Sequence, residues 1–296
     1  EAVFRLEEAI ELTPGHLKAH ELLGEAYYRD NDLPSARAQW EYVLQMQPER
    51  ADLRERYDKA FREEGVEGNF RQRESRHFKF SFTQAASPSL KNRLVSILER
   101  AYTEVGRQLG NVYPPGPIAV IVYGQGEFEE ATQVREHVGA LYDGKIRLPI
   151  TDPNGQWLDE EELRRRATHE YVHVVMRYMA GNNIPWWLNE GLAEALSGDV
   201  GPVKRQVLRR AYEGGTDFAL AQLAPNQLQA LDADPLRLAY VQSHATVELL
   251  LQRFGRHSLV RLLDALATGE DPETAFRTVY HRTYEMLEAE VAAVYF

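Results

Sequence analysis

The stretch that decides the fold of this chain is His169-Glu170-Tyr171-Val172-His173, followed by Pro185-Trp186-Trp187-Leu188-Asn189-Glu190-Gly191-Leu192-Ala193-Glu194. The spacing around the first segment predicts a helix from about Asp159 to Ala180, with Gly181 at its end. Histidines four residues apart lie on one face of a helix, about one turn from each other. Both imidazoles can therefore reach a single metal ion, and the carboxylate beside them can reach water at that ion.

The two segments resemble the signature of the gluzincins, zinc metallopeptidases of the peptidase MA group, in which HExxH is followed by Asn-Glu-Gly on the next helix. The resemblance implies one Zn²⁺ per chain, with His169, His173 and Glu190 as its ligands. It also implies that Glu170 is the general base and that Glu194 orients His169. The 16 residues between His173 and Glu190 are somewhat fewer than in aminopeptidases of the group, which a shorter loop between the helices explains.

The oxyanion that forms during peptide hydrolysis needs a hydrogen-bond donor in addition to the metal. In the aminopeptidases that this chain resembles, a tyrosine on a later helix has this role, and Tyr240 lies 50 residues after Glu190. We expect Tyr240 to be the catalytic donor, with His244, one helical turn later, as the alternative. The alternative interpretation of Tyr240 is a tyrosine that packs into the core and has no catalytic role.

Gly139, Ala140 and Leu141 are the predicted substrate-binding residues, in an edge strand that can pair with an extended peptide. They belong to the first arm of a hairpin predicted around Asp143-Gly144. The related aminopeptidases have Gly-x-Met-Glu-Asn in this place, and its glutamate binds the amino terminus of the substrate. This chain has no carboxylate there, which favours an endopeptidase over an aminopeptidase.

The first 66 residues contain similar segments that end at Pro14 and Pro48, 34 residues apart. This part resembles the tetratricopeptide (TPR) repeat, whose characteristic small and aromatic positions are occupied here by Leu23, Gly24, Tyr27, Ala36 and Trp40. The resemblance implies helices that bind a protein partner or serve as a scaffold. Because repeats bury their faces against neighbours, we expect further repeats before residue 1.

The predicted fold class is α+β in three parts. Residues 1–66 form the TPR-like helical segment, and the polar stretch at 65–74 is expected to be a linker. Residues 75–199 form a zincin-like lobe with a small mixed β-sheet, for which alternating and β-branched residues predict strands at 77–82 and 117–123. Residues 200–296 form a helical C-terminal lobe.

Composition excludes several classes of protein. The chain has 296 residues, no cysteine and a formal net charge of −11. Disulfides and thiolate metal sites are therefore excluded, and the acidic balance argues against a nucleic-acid partner. No apolar run is long enough to span a membrane. The expected partner is a peptide or protein substrate, and the lack of cysteine favours an extracytoplasmic location, periplasmic or anchored through a removed segment, over the cytoplasm.

A different class of function is also compatible with these motifs. The chain could be a TPR interaction protein whose protease-like domain binds other proteins without hydrolysing them. Glu170 argues against this alternative, because binding alone needs no general base.

Overall fold

The computed structural model describes residues 2–133, 140–225 and 231–295 of the chain. The chain divides into two compact units, one of Glu1–Val95 with Pro115–Asp159 and one of Ser96–Pro114 with Glu160–Phe296. Both contain helices, and the β-sheet belongs to the first. The domain boundaries predicted near residues 66, 75 and 199 stay predictions.

The first unit begins with four helices that pack against one another in chain order. They are α1 (Ala2–Leu12), α2 (Leu17–Arg29), α3 (Leu33–Met46) and α4 (Ala51–Glu67). Gly24 permits the close approach of α2 and α3, because a Cβ atom on it would lie 2.4 Å from Nε1 of Trp40. The Trp40 side chain is buried in the core that these helices share. The identification of these helices as TPR repeats stays a prediction.

A five-stranded mixed sheet completes the first unit, with the order β1-β2-β3-β5-β4. The central pairs β2–β3 and β3–β5 are parallel, and the outer pairs β1–β2 and β5–β4 are antiparallel. The strands are β1 (Arg71–Glu74), β2 (Phe78–Phe82), β3 (Ile118–Tyr123), β4 (Leu141–Tyr142) and β5 (Ile146–Pro149). Helix α6 (Gln125–Thr132) packs on β3 and β5. The predicted small mixed sheet is thereby confirmed.

The prediction of a linker at residues 65–74 is wrong. Helix α4 continues to Glu67, and the residues Arg71–Glu74 pair with β2 as an edge strand. All four side chains of β1 are polar and exposed, so the strand lacks the alternation of apolar and polar residues that predicts a half-buried strand.

Buried ion pairs connect α4 to the sheet within the first unit. The Arg147 guanidinium of β5 forms ion pairs with carboxylates of α4, at 2.7 Å from Glu63 Oε1 and 3.2 Å from Glu67 Oε1, and donates a hydrogen bond to the latter. The Lys145 ammonium lies 3.1 Å from Glu63 Oε2 and donates to Asn31 Oδ1 at 2.7 Å. Arg147 and Lys145 are both fully buried, so each charge depends on these partners. The helical segment and the sheet therefore form one compact unit.

The second unit is helical. It contains the C-terminal part of α5 (Pro88–Gln108), which begins in the first unit, and six later helices. These are α7 (Glu160–Ala180), α8 (Trp186–Ser197), α9 (Pro202–Gly214), α10 (Ala233–Ala267), α11 (Pro272–Tyr280) and α12 (Tyr284–Tyr295). Helix α10 contacts α7, α8, α9, α11 and α12, and it bends at Gly255, where φ is 74°.

Within residues 2–133, 140–225 and 231–295, no helix is both long and apolar enough to cross a bilayer.

Candidate metal centre

Helix α7 presents the HExxH residues on its buried side. The helix extends from Glu160 to Ala180, as its spacing predicts. The rings of His169 and His173 lie one turn apart, with their centroids separated by 4.8 Å. Glu170 is 4% exposed and His173 is 9% exposed. The two imidazoles and the carboxylate therefore occupy a largely desolvated site, where electrostatic interactions are strong.

Helix α8 contributes the third group of this cluster. Oε2 of Glu190 lies 3.4 Å from Nε2 of His169 and 3.4 Å from Nε2 of His173. One candidate ligand atom from each of the three side chains lies within 4.8 Å of the other two. Helices α7 and α8 thus bring the three predicted ligands together.

The donor set fits zinc. Two imidazole nitrogens and one carboxylate oxygen are the protein ligands of a catalytic zinc site with one open position. Four ligands at about 2.0–2.1 Å in a tetrahedron lie about 3.3–3.4 Å from one another. The two nitrogen–oxygen distances of 3.4 Å match this separation. The three residues could therefore hold a metal ion with little rearrangement.

The electrostatics of the cluster also favour a cation. Burial alone would lower the pKa of His169, but Glu190, Glu194 and Glu170 raise that pKa to about 10. Burial alone would raise the pKa of Glu190, but His173 and His169 lower it to about 2. The carboxylates thus create a negative potential at the imidazole nitrogens, and this potential would stabilise a bound cation.

The remaining ring nitrogen of each histidine faces an oxygen of α8. Nδ1 of His173 donates to Oδ1 of Asn189 at 3.1 Å, and Nδ1 of His169 lies 3.4 Å from Oε1 of Glu194. A proton on Nδ1 leaves Nε2 with a free lone pair, so these oxygens favour the tautomer in which Nε2 is the metal ligand. The sequence prediction included Glu194 but missed the role of Asn189, although Asn189 belongs to the Asn-Glu-Gly motif.

Gly191 brings α10 against α8. A Cβ atom on Gly191 would lie 2.4 Å from the carbonyl oxygen of Ser243 and 2.6 Å from Cγ2 of Val247. Only glycine permits this approach, which sets the N-terminal half of α10 next to Glu190. The glycine of the motif therefore has a packing function that also positions the candidate site.

Tyr240 lies on α10, where its side chain packs against α8. Helix α10 begins at Ala233, so Tyr240 lies two turns inside the helix. Its ring contacts Trp186 of α8, with centroids 5.0 Å apart. Burial raises the pKa of the Tyr240 phenol, and the charges of Glu190 and Glu170 raise it further. The phenol therefore keeps its proton.

His244 lies one turn after Tyr240 and is fully buried. Its Nδ1 lies 2.9 Å from Nζ of Lys204 on α9. Lys204 also donates to Oε2 of Glu194 at 2.6 Å. Lys204 was not predicted from the sequence, because no motif includes it. Only the packing of α9 against α10 brings it next to Glu194 and His244.

The predicted substrate-binding residues belong to the first unit. Leu141 begins the edge strand β4, Ala140 directly precedes it, and Gly139 lies outside the described residues. Strand β4 pairs with β5 on one side. Binding of an extended substrate at Gly139, Ala140 and Leu141 stays a prediction.

Comparison with known protein families relates the second half of the chain to one superfamily. A family model described as the Peptidase MA superfamily matches residues 155–294. This range contains α7 and α8 with the HExxH and Asn-Glu-Gly segments, together with α9 to α11. A comparison with curated proteins found no significant match. The family match supports a zincin-like peptidase domain of metallopeptidase type in residues 155–294, and such a domain implies a metal and a peptide or protein substrate.

Proposed function

We propose that this chain is a zinc-dependent peptidase of the gluzincin type. In this proposal His169, His173 and Glu190 hold one Zn²⁺ ion, and Glu194 orients His169. The observation that carries the proposal is the cluster of these three side chains, in which one carboxylate oxygen lies 3.4 Å from each of two imidazole nitrogens, the separation expected between zinc ligands. The match of this region to the Peptidase MA superfamily supports the same conclusion.

A zinc ion bound to these residues supplies Lewis acidity, which makes water a stronger acid and a peptide carbonyl more electrophilic. Glu170 is the proposed general base. It directly follows the proposed ligand His169 on α7, its side chain is buried, and its charge raises the pKa values of His169, His173 and Tyr240. Glu170 takes a proton from the attacking water and delivers it to the leaving amine.

Tyr240 is the proposed donor to the oxyanion of the tetrahedral intermediate. A phenol with a raised pKa stays protonated and can donate a hydrogen bond to developing negative charge. His244 is the alternative donor. Its complete burial and the contact of its Nδ1 with Lys204 favour Tyr240 for the role that touches substrate.

The substrate is proposed to be an internal peptide bond of an extended chain that binds at Gly139, Ala140 and Leu141. The absence of a carboxylate from residues 138–142 supports an endopeptidase over an aminopeptidase, because no group there would bind a free amino terminus. The helices of residues 1–66 are proposed to bind a partner or to act as a scaffold, and an extracytoplasmic location is part of the proposal.

The test is a comparison of the parent chain with Glu170→Gln. We expect about one zinc per chain in both proteins, since Glu170 is not a ligand, and hydrolysis of a broad peptide library by the parent alone. Glu161→Gln is the matched control, because Glu161 is an exposed carboxylate on the same helix. It should retain full activity.

Two outcomes of this test would contradict the proposal. A parent chain that binds no zinc after loading is not a metallopeptidase. A parent chain that binds zinc but hydrolyses no peptide of the library supports the alternative, a protease-like protein that acts through binding.

A further inference from the structure

Lys204 is a basic residue that no motif includes, and its side chain ends at the candidate metal centre. Its Nζ lies 2.6 Å from Oε2 of Glu194 and 2.9 Å from Nδ1 of His244. The side chain of Lys204 is 31% exposed, whereas that of Glu194 is 13% exposed and that of His244 is 1% exposed. The ammonium group of Lys204 therefore lies between solvent and the largely buried side chains of Glu194 and His244.

The two oxygens of Glu194 have different neighbours. Oε1 lies 3.4 Å from Nδ1 of His169, and Oε2 accepts the hydrogen bond from Lys204. A short, charge-assisted bond to one oxygen fixes the rotation of the carboxylate and thus the direction of the other oxygen. Arg165 is also near, at 3.7 Å from Oε1, but its guanidinium donates two hydrogen bonds to Glu162 at 2.8 and 2.9 Å.

The same ammonium group determines the tautomer of His244. A lysine ammonium has three donors and no acceptor, so Nδ1 of His244 must accept its hydrogen bond. The proton of the neutral ring is then on Nε2. Lys204 thus connects the carboxylate behind His169 to the histidine that follows Tyr240 on α10.

We propose that Lys204 is a positioning residue of the metal centre: it holds the carboxylate of Glu194 with Oε1 towards Nδ1 of His169, 3.4 Å away. Lys204 touches neither the metal ligands nor the reacting atoms and acts through Glu194. This inference rests on the proposed function, because it assigns Lys204 to the zinc site described above.

The test measures zinc affinity in the full chain by competition with a chelator, together with kcat and KM. Lys204→Met should weaken zinc binding by about 10-fold, the lower end of the effect of removing a partner of a ligating histidine. It should also change the visible spectrum of the Co²⁺-loaded protein. Lys204→Arg keeps the positive charge and the donor, so its affinity should lie closer to that of the parent.

Two further variants separate positioning from general effects. Arg209→Met removes an exposed positive charge from the same helix and should leave the zinc affinity unchanged. Glu194→Gln removes the group through which Lys204 acts. If Lys204 acts through Glu194, adding Lys204→Met to Glu194→Gln should cause no further loss of affinity, and the two effects should not add.

The outcomes distinguish this inference from the proposed function. A parent chain without zinc affinity overturns both. A parent chain that binds zinc, with Lys204→Met unchanged in affinity, Co²⁺ spectrum and kcat, overturns the role of Lys204 alone. Full additivity of Lys204→Met and Glu194→Gln also overturns it. Circular dichroism of each variant shows that the compared proteins are folded.

Discussion

Substitution of Gly191 by alanine tests whether the contact between α8 and α10 positions the site. The added Cβ would lie 2.4 Å from the carbonyl oxygen of Ser243, and ordinary contact begins at 3.4 Å, so the helices must separate by about 1 Å. The obstacle is backbone, so no side-chain rotation can relieve it. Overpacking of this kind costs about 1–3 kcal/mol, and we use the upper end. Alanine regains about 0.5–1 kcal/mol of helix propensity.

The net expectation for Gly191→Ala is a loss of about 2 kcal/mol in the free energy of unfolding, which corresponds to a decrease of roughly 4–8 °C in Tm for a unit of this size. A displacement of about 1 Å next to Glu190 should also lower kcat/KM by about 10²-fold. Differential scanning calorimetry measures the first effect and steady-state kinetics the second, and a zinc titration shows whether the displacement also weakens metal binding.

The matched control for this substitution is Gly65→Ala. Gly65 lies inside α4, and a Cβ atom on it would meet nothing within 4 Å. Alanine at this position should therefore raise stability by about 0.5–1 kcal/mol. If Gly191→Ala melts at or above the Tm of the parent and retains its zinc affinity, the packing argument for the glycine of the Asn-Glu-Gly segment is refuted.

Three further predictions concern the buried ion pairs and the catalytic donor. Arg147→Met removes the main partner of the buried Glu63 and should cost about 3–5 kcal/mol of stability, measured by chemical denaturation; a loss below about 1 kcal/mol would contradict it. Burial alone would raise the pKa of Glu63, but Arg147 and Lys145 lower it, so its stabilising contribution is present above the unfolded pKa of about 4.3 and is lost as pH falls below that value. The hydrogen-exchange protection factors of α4, which account for the slower intrinsic exchange in acid, should accordingly fall below about pH 4, and unchanged protection would refute this. Tyr240→Phe should lower kcat by about 10²-fold or more with zinc still bound, and an unchanged rate would transfer the donor role to His244 or elsewhere.

The candidate ligands could be predicted from the sequence because their arrangement is local. His169 and His173 share one helical face whatever the tertiary structure, and Glu190 follows on the next helix after a short loop. Spacing on one helix accounts for the two histidines; Glu190 was predicted through the resemblance of the Asn-Glu-Gly segment to the gluzincin signature. The strands β2 and β3 were also predictable from local sequence, since β2 alternates apolar and polar residues and β3 is a short β-branched run.

Other features depend on contacts between distant segments and left no pattern in the sequence. Lys204 reaches Glu194 only because α9 packs on α10, and neither spacing nor composition marks it. The ion pairs of Arg147 with Glu63 and Glu67 join residues about 80 positions apart, and charged side chains are ordinarily expected at the surface. Strand β1 pairs through its backbone, which any sequence can do.

The central claim is that His169, His173 and Glu190 bind one zinc ion. The most direct measurement is a crystal structure of the zinc-loaded chain with anomalous scattering recorded at the zinc absorption edge. The account predicts a single anomalous peak about 2.0–2.2 Å from Nε2 of both histidines and from a carboxylate oxygen of Glu190. A peak with other ligands, or no peak in zinc-loaded protein, would contradict it.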